Sequence, residues 1–139
     1  MLSKILHAND GSAGAFKALE VALSMARHYR SDLHMVSVEE MPWLPGTREE
    51  VFGDKELANH KFEGVVARAR EQARRQRVKL TTHLLVGHPV KAIADFIAQN
   101  GFDGLVVGYV GHSQVYSALV GSTAERLVRL APCTVIVVK

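Results

Sequence analysis

The chain has very little cysteine: Cys133 is the only one. Neither an intrachain disulfide nor a cysteine zinc cluster can therefore be built, and its place in the apolar segment 131–138 marks it as a core residue. No apolar run approaches the roughly 18 residues needed to span a bilayer. Residues 1–10 also lack the basic start, long apolar stretch and small-residue cleavage site of a signal peptide, so a cytoplasmic protein without a membrane partner is expected. Aromatic residues make up only 6%. None interleaves the basic run Arg68, Arg70, Arg74, Arg75, Arg77 and Lys79, so that run has no groups on which bases would stack. It reads as a solvated helix face, and nucleic acid is not an expected partner. The histidines His7, His28, His34, His60, His83, His88 and His112 include no pair four residues apart and have no cysteine neighbours, so no dedicated metal site is expected. Three motifs are absent as well: the GxxxxGK phosphate loop, a GxGxxG after the first strand, and a nucleophile elbow. The common nucleotide hydrolases and α/β-hydrolases are thereby set aside, and no catalytic residue is assigned.

What is present belongs to an ordinary folded domain. Apolar residues make up 47% and charged residues 22% of 139 residues, a length that suits one domain over 1–139. The formal charge of +3 and a pI near 9.2 suit a polyanionic ligand such as a nucleotide. Residues 4–9 form a short apolar run ending in Asp10-Gly11-Ser12, which predicts a strand followed by a helix cap. Phe16, Leu19, Leu23 and Ala26 recur at helical spacing, so the first helix runs to about Tyr29. Residues 33–38 predict a strand, and residues 41–47, with Pro42, Pro45 and Gly46, a surface loop. A long amphipathic helix is expected from about Glu49 or later to Gln76, with Ala58, Phe62, Val65, Ala69 and Ala73 inward.

The same rhythm repeats through the second half. A strand over 78–86 is broken by Gly87, and Pro89 opens a helix that Asn100-Gly101 closes. A strand over 104–107 leads through a glycine-containing loop to a helix with Ala124, Leu127, Val128 and Ala131 inward, stopped by Pro132. Residues 134–138 form the last strand. Five strands alternating with four helices predict a doubly wound α/β fold, a parallel sheet with helices on both faces, in the order 3-2-1-4-5. Ligands of such sheets bind beyond the carboxyl ends of the strands, where the order reverses. His7 reads as a packed core histidine inside strand one.

Gly108 and Gly111 are followed, after nine residues, by Gly121-Ser122, all between a predicted strand and a predicted helix. Glycines at both ends let the backbone approach a ligand closely, and several N–H groups can point at phosphate oxygens. The helix start at Gly121 and Ser122 favours an anion, and the hydroxyls of Ser122 and Thr123 are further donors. GxxG, nine residues and Gly-Ser resembles the nucleotide-binding pattern of the ATP-binding branch of the universal stress protein family. The similarity extends to Asp10-Gly11-Ser12, the turn at 87–89, the strand after Asp103 and the closing residues 131–138.

That resemblance implies an adenine-nucleotide alpha-hydrolase-like fold with ATP as ligand and Mg2+ on its phosphates. It puts Asp10 near the ribose and phosphates, the Val38 backbone against the adenine edge, and Gly108, Gly111, Gly121 and Ser122 around the phosphates and ribose. His112 stands where many relatives carry a basic side chain. Tyr109, Val110 and Asn9 depart from the usual residues. The resemblance also implies a homodimer through the C-terminal strand and a sensor or regulator role in stress response, with an unidentified protein partner. A slow ATPase or phosphotransferase and a nucleotide-independent dimer remain as alternatives, and the pattern does not separate ATP from AMP.

Overall fold

The computed structural model describes residues 1–41, 45–50, 61–109 and 123–139. The elements run β1 (Lys4–Ala8), α1 (Ala13–Tyr29), β2 (Asp32–Glu40), β3 (Arg48–Glu50), α2 (Lys61–Gln76), β4 (Leu80–Gly87), α3 (Pro89–Asn100), β5 (Gly104–Gly108), α4 (Thr123–Leu130) and β6 (Thr134–Val138). They build one six-stranded sheet in the order β3-β4-β2-β1-β5-β6. The expected α/β fold and the expected order of the five parallel strands are both found. The sixth strand is a difference: β3 pairs antiparallel with β4, Arg48 opposite Val86.

Strand periodicity sorts the core into two layers. On β1 and β2, Ile5, Leu33 and Met35 pack with Phe16, Leu19 and Leu23 of α1 and with Val66, Ala69 and Ala73 of α2. The alternate residues Leu6 and Val36 join Ile93, Phe96 and Ile97 of α3 and Leu127 of α4 on the other face. This two-sided burial is what right-handed crossovers impose on a parallel sheet.

The helix ends follow the sequence signals. Ser12 caps α1 by accepting from Ala15 N, and Arg30 closes it in the left-handed conformation. Pro89 opens α3, and Gly101 ends it with φ 69°. The helix expected from about Glu49 or later to Gln76 is described from Lys61, and Arg48–Glu50, at the earliest of its expected starts, is strand. The physical reason is the turn before it: Gly46 at φ 84° returns the chain along β4, whose edge offers unpaired backbone groups. Ala58 lies outside the described residues.

Two inward assignments also change. Val128 is 55% exposed, because the short α4 buries only the stripe of Ala124 and Leu127. Cys133 is half-buried at the margin of the α3/α4 layer, where burial first, and then the charge of Asp103, pushes its thiol pKa up. The basic run behaves as expected: Arg74 and Arg75 pair with Glu71, and Arg68 lies 3.8 Å from the centre of the Phe16 ring.

At the amino end of the sheet, Asp103 accepts from Ser3 N and Lys4 N at 2.9 and 3.0 Å and from Ser3 Oγ at 3.0 Å. The bond from Lys4 N, followed by the Ser3 contacts, holds this carboxyl below its ordinary pKa.

On the α3 side a hydrogen-bonded row crosses three strands. Asp32 Oδ2 meets His34 Nε2 at 3.1 Å, His34 Nδ1 meets His83 Nε2 at 2.9 Å, and His83 Nδ1 meets Glu49 Oε2 at 3.0 Å. The imidazole planes lie within 6° of each other, with centres 5.1 Å apart. That separation fits rings joined edge to edge along the N···N line rather than stacked face to face. The row ties β3 to β4 and β2. In the 15N-labelled protein we expect a scalar coupling across the hydrogen bond between His34 Nδ1 and His83 Nε2, lost in Glu49→Ala if β3 anchors the row. Independent, uncoupled imidazoles in the wild type would refute it.

Candidate functional site

The strand order reverses between β1 and β5, whose carboxyl ends lie side by side: His7 pairs with Val106. On the other flank Ala8 pairs with Val36, so continuing the register sets Asp10 level with Val38. Asn9 N donates to Val36 O at 2.9 Å, which continues this pairing beyond the strand. Asp10, Val38 and Gly108 are thus brought to one end of three adjacent strands. Thr123 is the first residue of α4 and is exposed. Gly111, His112, Gly121 and Ser122 lie outside the described residues.

The chain leaves β1 through three consecutive local bonds. Gly11 N donates to Asn9 Oδ1 at 2.8 Å, Ser12 N to Asp10 Oδ1 at 3.0 Å, and Ala15 N to Ser12 Oγ at 3.1 Å. Short polar side chains that capture the next backbone donors in this way turn a strand directly into a helix. Gly11, at φ 86°, takes a conformation that an L side chain rarely adopts. Asp10 shapes the entry, and Ser12 is the cap itself.

Gly108 closes β5 against the first turn of α1. A Cβ at Gly108 would stand 2.8 Å from Gly14 O and 2.9 Å from its carbonyl carbon. Both are main-chain atoms that no rotamer can move aside. Tyr109 follows, 40% exposed, with its N–H bonded to Val138 O and Lys139 Nζ 5.2 Å from its ring centre.

Beneath this end lies a polar layer that only partly follows from the sequence. His7, Asn9, Ser37 and Glu39 are all buried, at 0, 2, 1 and 9% exposure. His7 was expected in the core and is found there, its Nδ1 donating to Val106 O at 3.0 Å. Burial drives its pKa from 6.5 down to about 4, against the smaller opposing effects of the Val106 bond and the Asp10 charge. The available signal for Ser37 and Glu39 was period-two alternation: both fall on the apolar-facing set that contains Leu33 and Met35.

An open sheet whose strand order reverses between β1 and β5 defines a doubly wound α/β protein. The Universal stress protein family model matches residues 1–139, and the chain belongs to that family. Universal stress protein MJ0531 of Methanocaldococcus jannaschii is 27% identical over 141 residues, covering 100% of this chain and 83% of the relative. Among solved structures, a universal stress protein in complex with cAMP superposes with a TM-score of 0.79 at 20% identity, covering 99% of this chain and 97% of the other. A universal stress protein family protein from Arabidopsis thaliana, with AMP bound, gives 0.65 at 20% identity over 99% and 91%. At these identities the two structures establish the shared fold.

Replacing Gly108 with alanine should destabilise the protein by about 1–3 kcal/mol, because the added methyl meets fixed backbone. Chemical denaturation measures this, and an unchanged midpoint would contradict the contact. His7 gives a pH signature. Its folded pKa lies below the unfolded one, so its contribution is fully present above about 6.5 and declines as pH falls towards about 4. Within that window the wild type should lose roughly 1.4 kcal/mol per pH unit through this group. His7→Leu should have a flatter profile between the two values, and an identical slope would refute the assignment.

Proposed function

We propose that this chain binds an adenine nucleotide, ATP with Mg2+ on its phosphates, in the crevice at the carboxyl ends of β1, β2 and β5. The observation that carries the reading is the bare wall at Gly108, where β5 meets Gly14 with no side chain between them. Gly108 is the first glycine of the GxxG, nine-residue, Gly-Ser segment, and close backbone approach is what phosphate cradles require. Asp10 and the Val38 backbone take the ribose and base side. Gly108, Gly111, Gly121, Ser122 and Thr123 take the phosphates and ribose, and His112 flanks them.

Two proteins of the same fold were solved with cAMP and with AMP, which supports an adenine nucleotide as the ligand class. In this reading the chain is a single nucleotide-binding domain that acts in the cytoplasm as a homodimeric sensor or regulator. Its copies associate through β6, which lies at the sheet edge opposite β3. A two-fold contact between such edges uses the same strand of each copy. No helix among the described residues is long and apolar enough to cross a membrane.

Thermal unfolding with and without MgATP tests the reading. At a hundred times its dissociation constant a ligand adds about 2.7 kcal/mol, equivalent to a rise of roughly 10 °C for a domain of this size. AMP should give a smaller shift and GTP little. No shift with any nucleotide, on protein shown to be ligand-free, would refute nucleotide binding.

A further inference from the structure

The imidazole row on the α3 side responds to proton uptake at one point, its centre. Its outer contacts run to carboxylates: His34 Nε2 to Asp32 on the same strand, and His83 Nδ1 to Glu49 on β3. Both contacts survive, and gain charge assistance, when an imidazole becomes a cation. The inner contact is of another kind. His34 Nδ1 and His83 Nε2 lie 2.9 Å apart between nearly coplanar rings, a bond that needs one nitrogen bare and the other protonated. A cationic imidazole is a donor at both nitrogens, so two cations would set N–H against N–H. One cation is compatible with every bond in the row, and a second breaks the middle one.

Protons can reach the pair, because the His34 and His83 side chains are 15 and 18% exposed. The charged groups around it pull in both directions. Asp32 on β2 and Glu49 on β3 favour proton uptake. Two cations oppose it: Lys79, level with Asp32 when the β2–β4 register is extended by one residue, and Lys4 on β1, whose Nζ lies 4.7 Å from the centre of the Phe102 ring that packs edge-on to His34. From α3, Phe96 packs on His83 with ring centres 4.8 Å apart, while Lys91 and Asp95 pair with each other at 2.7 Å. Phe96 and Phe102 stack in turn, with centres 5.7 Å apart. The two histidines are thus the floor on which the carboxyl half of α3 and the segment after it rest.

We propose that the His34–His83 contact is a pH-sensitive pin beneath α3, joined while no more than one imidazole is a cation and parted when both are. The row then divides into two ion pairs, Asp32 with His34 and Glu49 with His83, whose rings repel across the line they had shared. The ladder between β2 and β4, paired from Leu33 to Glu40, keeps the strands in place. The change therefore falls on the rings and, through Phe96 and Phe102, on the seat of α3. Acid loosens the carboxyl half of α3 selectively. His7, bonded to Val106 within the sheet, acts differently, since its protonation weakens the fold as a whole.

Amide hydrogen exchange of the full chain, followed by NMR at about pH 8 and about pH 5, tests this, because histidine charge changes within that interval. After correction for the intrinsic pH dependence of exchange, the amides around Phe96 should lose about tenfold more protection than those of α1, which reports the effect of His7 on the whole fold. The coupling between His34 Nδ1 and His83 Nε2 should vanish over the same interval. In His83→Gln, which can hydrogen-bond but takes up no proton, α3 should lose no more protection than α1. His34→Gln serves if that variant does not fold; should neither fold, the coupling and the comparison of α3 with α1 in the wild type decide. A coupling that persists at about pH 5, equal losses in α3 and α1 of the wild type, or an excess loss in α3 that survives the substitution overturns the pin.

Discussion

Everything at the candidate site depends on β1 being paired on both sides by parallel strands. Its N–H and C=O groups are shared between β2 and β5, so it can neither slip in register nor tilt without breaking two ladders. Because α1 and α2 cover one face and α3 and α4 the other, the connections on its two flanks leave in opposite directions. The gap this opens at the carboxyl end follows from topology and needs no special side chain. Asp10, Val38 and Gly108 meet there because three neighbouring strands end together.

The two ends of the sheet are treated differently. At the amino end Asp103 gathers three donors from Ser3 and Lys4, and Lys4 Nζ reaches Asn100 O at 2.6 Å. Strand starts are thus tied to the loop before β5 by short bonds, and polar groups there are well matched. At the carboxyl end, buried side-chain atoms of Asn9, Glu39 and His7 go unmatched among the described residues. Gln72 Oε1 on α2 is a further buried atom without a partner among the described residues, so the mismatch gathers at this end without being confined to it.

Most of the architecture was legible because strand and helix periods differ so clearly here. Leu33 and Met35 face one layer and Val36 the other, and Phe16, Leu19 and Leu23 keep one helical stripe. The failures have physical causes. Arg48–Glu50 carries no apolar alternation, because β3 is held by backbone pairing to β4 and by the Glu49 contact with His83 rather than by burial. The His34–His83 pair escaped a search for histidines four apart in sequence because it is made across strands. Of the glycine motif, Gly108 is placed at the crevice by its strand, while Gly111, His112, Gly121 and Ser122 lie outside the described residues. Glu39 was hidden by its setting: a charged residue near a strand end reads as solvent-facing until register shows which face it takes.

The contact between Gly108 and Gly14 has a mechanical consequence. Side chains at an interface act as springs, since they change rotamer and take up small displacements, whereas two backbones in direct contact have almost no compliance. The first turn of α1 therefore cannot lean further towards β5, and it cannot move away without leaving a void at the centre of the sheet. This part of the sheet end is a fixed jaw, and any adjustment there falls to the side chains around it.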